Sequence, residues 1–448
     1  MTNTMTADTT ASKTSLERHR DSFAAVAMRE GHPHWQTCIA RQLPDHRKPD
    51  EIRSEFDRDA GRILHSLAYT RLKSKTQVFF HTHDDRICTR IEHVNHVISV
   101  SGTIARFLGL NTELTQAIAM GHDLGHAPFG HRGETVLDDL CKQYDLGEFW
   151  HEKNSLRVID ALERLPAKDG RYQHLNLTYA VRDGIIAHCG EVNQQCLRTR
   201  GEAIDLAQFS KHKRFDPYTW EGCVVKLSDK MAYLGRDLED AQRLGLLGQE
   251  QLRILERETA RCYPLQAVNN TNLIHTFIID LCRHSSPENG LQLSPECYEL
   301  MKTVMRFNYQ NIYGHERLLN YDAYAKLVLN SLFDVLNQAY DGPDTGRNLQ
   351  RLYGCYPRLS ADFSTWLQPF TGDPTTDGYG AADARKTMDN PKERRSPWPV
   401  DTNVGSRSDG KPLYDLREAK DYRRAIVDFL SLLTDRGIIE YYTELTTF

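Results

Sequence analysis

Along most of the chain, apolar residues recur at three- and four-residue spacing. In residues 89–110, TRIEHVNHVISVSGTIARFLGL, they fall at Ile91, Val94, Val97, Ile98, Ile104 and Leu108, the stripe of an amphipathic helix. The same period runs through LTQAIAM (114–120), SLRVIDALERL (155–165), VVKLSDKMAYLGRDLEDAQRL (224–244), LIHTFIIDLC (273–282), AYAKLVLNSLFDVL (323–336) and YRRAIVDFLSLLTDRGIIEYY (422–442). Strand-like alternation is scarce, and TQVFF (76–80) is its clearest case. The pattern predicts a mostly α fold.

Two stretches break the pattern. Residues 284–295, HSSPENGLQLSP, read as a loop, and residues 371–412 are rich in Gly, Pro, Asp and Thr. The second is too long for an ordinary connection. No repeat of fixed period is visible, and no linker splits the helical body cleanly. Residues 1–45 read as a polar, partly disordered lead-in, most plainly in MTNTMTADTTASKT (1–14).

At 448 residues, 40% hydrophobic and 26% charged, the chain has ample length for a large core. Its net charge of −5 provides no overall basic field for nucleic acid or an anionic membrane. No signal-peptide pattern opens the chain, and no apolar run approaches a membrane span. The ten cysteines are scattered without a C-x-x-C pair, as expected of reduced thiols in a cytoplasmic protein.

The chemistry concentrates in GHDLGHAPFGHRGE (121–134), where His122, His126 and His131 are interleaved with helix-breaking Gly121, Gly125, Pro128 and Gly130. Upstream, RIEHVNHV offers His93 and His96 on a helix. Downstream, LSDKMAYLGRDLED puts Asp229, Tyr233 and Asp237 on one helical face at i, i+4 and i+8. A set of two His and two Asp suits a borderline-to-hard divalent ion, whether Mn2+, Fe2+, Co2+, Zn2+ or Mg2+. A lone His on an amphipathic helix is ordinarily structural; it is the broken, His-rich loop directly after His122-Asp123 that points to a site.

In that order, RIEH, GHDLGHAPFGHRGE and SDKMAYLGRDLEDA resemble the HD superfamily, and within it the deoxynucleoside triphosphate triphosphohydrolases, which include bacterial dGTPases and the human sterile-alpha-motif HD enzyme. Residues 53–79, 311–333 and 424–436 are similar to further blocks of that family. The resemblance spans roughly residue 50 to the C-terminus, leaving out 371–412. It implies an HD-type helical core at about 46–345 and a C-terminal helical region at 346–448, with at most a small β-hairpin. His93, His122, Asp123 and Asp229 match its four metal ligands, and His131 with Glu134 a catalytic pair. His126 and His151 match active-site histidines of part of the family. Arg90 and Lys230 match phosphate-holding side chains; Gln77, Tyr233 and Asp237 match groups around the deoxyribose. His96 matches no ligand position.

The reaction so implied is hydrolysis of a dNTP to deoxynucleoside and triphosphate, with one divalent ion per subunit and additional Mg2+ on the phosphates. An ion at the α-phosphate polarises the phosphoryl oxygen and acidifies a water for in-line attack. The leaving 5′-oxygen needs a proton, which a His oriented by a carboxylate supplies. FWHEKNS (149–155) stands where many dGTPases carry FEHNAQS, and His126 is likewise more human-type, so the resemblance favours broad dNTP use over strict dGTP use. The family also implies a homo-oligomer, most often a hexamer, and in some members activation by a second nucleotide. Two alternatives stand beside this reading. One is another HD phosphohydrolase, acting on nucleoside monophosphates, cyclic nucleotides or guanosine tetraphosphate. The other is a nucleic-acid-binding or regulatory HD protein in which hydrolysis is secondary, with KHKR (211–214) and RTR (198–200) touching phosphodiester backbones; single-stranded DNA is a further candidate partner.

Overall fold

The computed structural model describes residues 16–45, 47, 49–79, 84–166, 172–188, 195–371, 398 and 412–447. The expectations for residues 1–14 and for 371–412, apart from Thr371, Trp398 and Pro412, lie outside the described residues. The helices that carry the argument are α1 (Glu55–Leu64), α2 (Arg90–Leu108), α3 (Thr112–Gly121), α4 (Gly130–Gln143), α5 (His151–Arg157), α6 (Tyr179–Ala187), α7 (Trp220–Arg243), α8 (Asn270–His284), α9 (Pro295–Asn308), α10 (Glu316–Asn337), α11 (Pro357–Thr371), α12 (Ala419–Leu432) and α13 (Asp435–Thr446).

The fold is all-α in character, as the periodicity predicts. Among the described residues, extended structure is limited to two minimal antiparallel pairs and isolated bridge residues, such as Ser286 with Gly290. Strand β1 (Leu165–Pro166) pairs with β2 (Tyr172–Gln173), and β3 (Cys196–Leu197) with β4 (Leu291–Gln292). Two local expectations are corrected. The stretch 284–295 is not only loop, because it carries β4. TQVFF forms no strand over its described residues 76–79: Thr76 is a single bridge residue, and its amide donates to the Asp435 carboxylate at 2.9 Å.

The chain divides into two compact units, each discontinuous in sequence. The described parts of Met1–Leu64, Thr82–Asp123 and Leu177–Leu319 form one, and those of His65–His81, Leu124–Asn176 and Asn320–Phe448 the other. In the first, α7 packs against α2, α6 and α8, while α3 packs against α1, α2 and α6. Thr219 caps α7 by accepting from the Gly222 amide, and the Thr89 amide donates to Glu92 at 2.7 Å at the start of α2. Residues 16–45 are not the polar lead-in expected: Phe23, Ala27, Met28 and Cys38 are core residues of this unit. Glu221 holds them there, its Oε1 accepting from the amides of Met28 (2.9 Å) and Asn111 (3.0 Å).

In the second unit, α12 packs on α4 and α11 packs on α12 and α13. Its core is aromatic, with Phe363, Trp366, Tyr414 and Phe429 among its buried rings. Buried Asp428 is bound by Arg157 and by the Tyr414 hydroxyl. The Arg157 guanidinium and the Tyr414 hydroxyl thus satisfy the buried Asp428 carboxylate, the condition for keeping such a charge in a core.

Candidate metal centre and histidine cluster

The first unit brings four matched ligands together from three helices. His93 comes from α2, His122 and Asp123 follow α3, and Asp229 comes from α7. His93 Nε2 stands 2.9 Å from Asp229 Oδ1 and 3.8 Å from Asp123 Oδ2; His122 Nε2 stands 3.6 Å from Asp123 Oδ2 and 3.8 Å from Asp229 Oδ1. His93, His122 and Asp123 are buried, whereas the Asp229 side chain keeps 26% of its surface open. Burial works against the Asp229 carboxylate, but the hydrogen bond and charge of His93, with His122 behind it, hold its pKa well below the usual range.

The donor set fits a divalent ion on its chemistry. His122 Nδ1 lies 2.8 Å from the Ala119 carbonyl, which can only accept, so Nδ1 is the donor there and Nε2 is the nitrogen that faces the carboxylates. Orienting a ligating imidazole through its second nitrogen is the usual support of a metal site. Buried Arg90 donates from Nη1 to Asp123 Oδ2 at 3.0 Å, which fixes that carboxylate.

His188, which the sequence reading missed, repeats the His122 geometry. It follows α6 as His122 follows α3, its Nδ1 lies 2.5 Å from the Ile185 carbonyl, and its ring stands edge-on to His122 at 5.1 Å. The only signal for it was a His at the end of the GIIA stripe.

Farther along α7, Lys230 is buried and Tyr233 half-buried. Asp237 is buried and accepts from the Tyr313 hydroxyl at 2.6 Å; burial pushes its carboxyl up to about 7, against that hydrogen bond. Tyr313 was also missed, having no charge or spacing to mark it. His96 is half-buried, and desolvation, then His93, lowers its pKa.

The second unit holds the other predicted histidines. His126 stacks on His151 with ring centres 4.0 Å apart, and His131 stands edge-on to both at 5.2 and 5.5 Å. Glu134 lies among them: its Oε2 is 2.8 Å from His151 Nδ1 but 3.6 Å from His131 Nδ1. The imidazole bonded to Glu134 is therefore His151, and the spacing i, i+3 brings His131 only near it. Although burial opposes ionisation, His151 and His131 hold the Glu134 carboxyl well below its ordinary value. Gln77 is half-buried in the same unit.

The broken loop explains this cluster. A Cβ on Gly125 would lie 2.0 Å from the Ser155 amide nitrogen, and one on Gly133 would lie 1.8 Å from the Pro128 carbonyl oxygen. Only glycine lets the loop lie against the backbone of α5, which places His126 over His151. The Gly125 amide donates to Ser155 Oγ and its carbonyl accepts from Asn154. Lys75 donates to the His126 carbonyl, and the Phe129 amide, in left-handed backbone, donates to Asp435 at 2.9 Å.

Of the basic stretches, KHKR has His212, Lys213 and Arg214 exposed. In RTR, Arg200 is bound to buried Asp183 and is a structural residue.

Comparison with known proteins identifies relatives of this chain. Residues 90–234 match the HD domain family. A deoxyguanosinetriphosphate triphosphohydrolase-like protein of Desulfatibacillum aliphaticivorans is 38% identical over 289 residues, 64% of this chain and 74% of the relative. Proteins of the same description from Caldanaerobacter subterraneus subsp. tengcongensis and Ralstonia pickettii are 37% and 33% identical, over 70% and 64% of this chain and 81% and 78% of theirs. Among the described residues, no helix is long and apolar enough to cross a membrane.

Proposed function

The chain belongs to the HD-domain family of deoxyguanosinetriphosphate triphosphohydrolase-like proteins, and on that premise we propose that it hydrolyses dNTPs, dGTP among them, to deoxynucleoside and inorganic triphosphate. The observation that carries the reading is the convergence of His93, His122, Asp123 and Asp229 on one another, with Arg90 bound to Asp123. A divalent ion held there supplies Lewis-acid polarisation of the α-phosphoryl oxygen and acidifies a water.

The remaining work falls to side chains. Lys230 and the Arg90 guanidinium hold phosphate oxygens as charge-assisted donors. Asp237 accepts from the 3′-hydroxyl, while Tyr233 packs against C2′ and excludes a 2′-hydroxyl. Gln77 contacts the sugar. His131, with Glu134 and His151 drawing its proton balance, protonates the departing 5′-oxygen, and His126 lines the same histidine wall. In this reading the catalytic part is 46–345, the enzyme is cytoplasmic, and it assembles as a homo-oligomer, a hexamer by preference.

The test is direct. The protein is incubated with each dNTP, each NTP and mixtures of dNTPs, with Mn2+ or Mg2+, and the products are resolved by ion exchange. Deoxynucleoside plus triphosphate, lost with chelator and in His131→Ala, is the expected result. Diphosphate or monophosphate as the product, or no turnover in any mixture, overturns it.

A further inference from the structure

Glu134 does not serve His131 alone; it sits in a ring of three imidazoles. The candidate donor atoms of His126, His131, Glu134 and His151 all lie within 4.8 Å of one another. We propose that this quartet is a second metal site, built by three His and one Glu and suited to Zn2+ or Co2+ rather than to Mg2+.

The chemistry of the set argues for it. Donors at about 2.0–2.1 Å from a tetrahedral ion are about 3.4 Å apart, so the quartet must contract by roughly an ångström. Two members need hardly move: Glu134 Oε2 and His151 Nδ1 are 2.8 Å apart. His131 is the member free to swing, with 68% of its side chain exposed on the first turn of α4. His126 is fixed by its backbone, since its carbonyl is held by Lys75 and the neighbouring Gly125 is pinned between Asn154 and Ser155. Three imidazoles and one carboxylate are the ligands of choice for Zn2+ and Co2+, whereas Mg2+ takes oxygen donors and keeps its waters. The His93–His122–Asp123–Asp229 centre, with two carboxylates, is the harder of the two sites. The two therefore differ in preference, not merely in affinity.

One consequence rests on the proposed function. An ion on the quartet occupies the lone pair that His131 needs for proton transfer, so filling it stops hydrolysis while the first centre stays loaded. The binding claim itself is independent of that reading.

The experiment uses the full chain, stripped with chelator and dialysed against Zn2+ or Co2+, with metal per chain counted by mass spectrometry and the Co2+ visible spectrum recorded. The native protein should hold two equivalents of Zn2+. Asp229→Asn should keep one, with the intense visible bands of tetrahedral Co2+, and His126→Gln/His151→Gln should lose those bands and keep the other equivalent. Glu134→Gln, the gentler change, should weaken the second equivalent at least ten-fold and serves if the double variant does not fold. A tenfold excess of Mg2+ should not displace it. A single equivalent lost in Asp229→Asn, or a second one that survives in Glu134→Gln and the double variant alike, overturns the proposal. Binding is counted without nucleotide, so its failure is distinct from failure to hydrolyse dNTPs, and Zn2+ inhibition in excess of Mn2+ is read separately.

Discussion

Tyr313 donates its phenolic hydrogen to Asp237 Oδ2 at 2.6 Å inside the first unit, where Asp237 is buried and Tyr313 half-buried. Burial pushes the Asp237 carboxyl up to about 7, with the Tyr313 hydrogen bond pulling the other way. An acid whose folded pKa lies above its unfolded value of about 3.9 contributes stability that is full below that value and lost as pH rises through the folded one. Asp237→Asn keeps the uncharged shape at every pH. Its melting temperature, relative to the native protein, should therefore climb between about pH 5 and about pH 8. An offset equal at both ends would show that Asp237 does not titrate in this window.

Gly125 and Gly102 should respond in opposite ways to alanine. At Gly125 a Cβ meets the Ser155 amide nitrogen at 2.0 Å, and backbone cannot give way as a flexible side chain does. At Gly102, within α2, a Cβ meets nothing within 4 Å. Gly102→Ala should stabilise by about 0.5–1 kcal/mol through helix propensity. Gly125→Ala should cost about 3 kcal/mol or more, or abolish folding. Urea midpoints decide it, and a tolerated Gly125→Ala would mean that the loop does not lie on α5.

Glu221 anchors the N-terminal residues to the first unit. Its carboxylate is the common acceptor for the Met28 and Asn111 amides, and it is buried, with burial raising its pKa. Glu221→Ala orphans both donors, at about 1–3 kcal/mol each. Limited proteolysis of that variant should cut between residues 16 and 45 well before the rest of the chain. Resistance equal to the native protein would remove Glu221 from this role.

Much of this was legible in the sequence because helices announce themselves by period. The α2 and α7 stripes follow from apolar spacing, which puts His93, Asp229 and Asp237 on helices, while their roles are what the family resemblance implies. The His122-Asp123 step is legible because Gly residues interrupt a helix beside it. The failures share a cause, which is contact between residues far apart in sequence. Thr76 reads as strand, yet Asp435, more than 350 residues later, takes its amide. Residues 16–45 read as a polar lead-in because their few apolar side chains show no period, and the carboxylate that pins them belongs to α7. The i, i+3 spacing does bring His131 to 3.6 Å from Glu134, and the ring from α5 that stands closer, His151, is brought there by the fold. His188 carries only the faint mark of a His closing the GIIA stripe, and Tyr313 has no charge or spacing to mark it.

The metal centre makes the last prediction. His93, His122, Asp123 and Asp229 bring two carboxylates into one pocket of a folded unit, with Arg90 bound to Asp123. An ion bound to the native state and not to the unfolded chain stabilises by mass action, by about 2.7 kcal/mol at a hundredfold excess over Kd. Mn2+ added to chelator-treated protein, without nucleotide, should therefore raise the melting temperature in a concentration-dependent way. Asp229→Asn removes a charged ligand while keeping the shape of the side chain, so its melting temperature should no longer move with Mn2+. The same substitution also ends the short contact with His93, so its starting stability will differ from the native value; the slope against Mn2+, not the baseline, is the quantity to read. A slope in Asp229→Asn equal to that of the native protein would place the Mn2+ elsewhere, and the four-residue centre would lose its role.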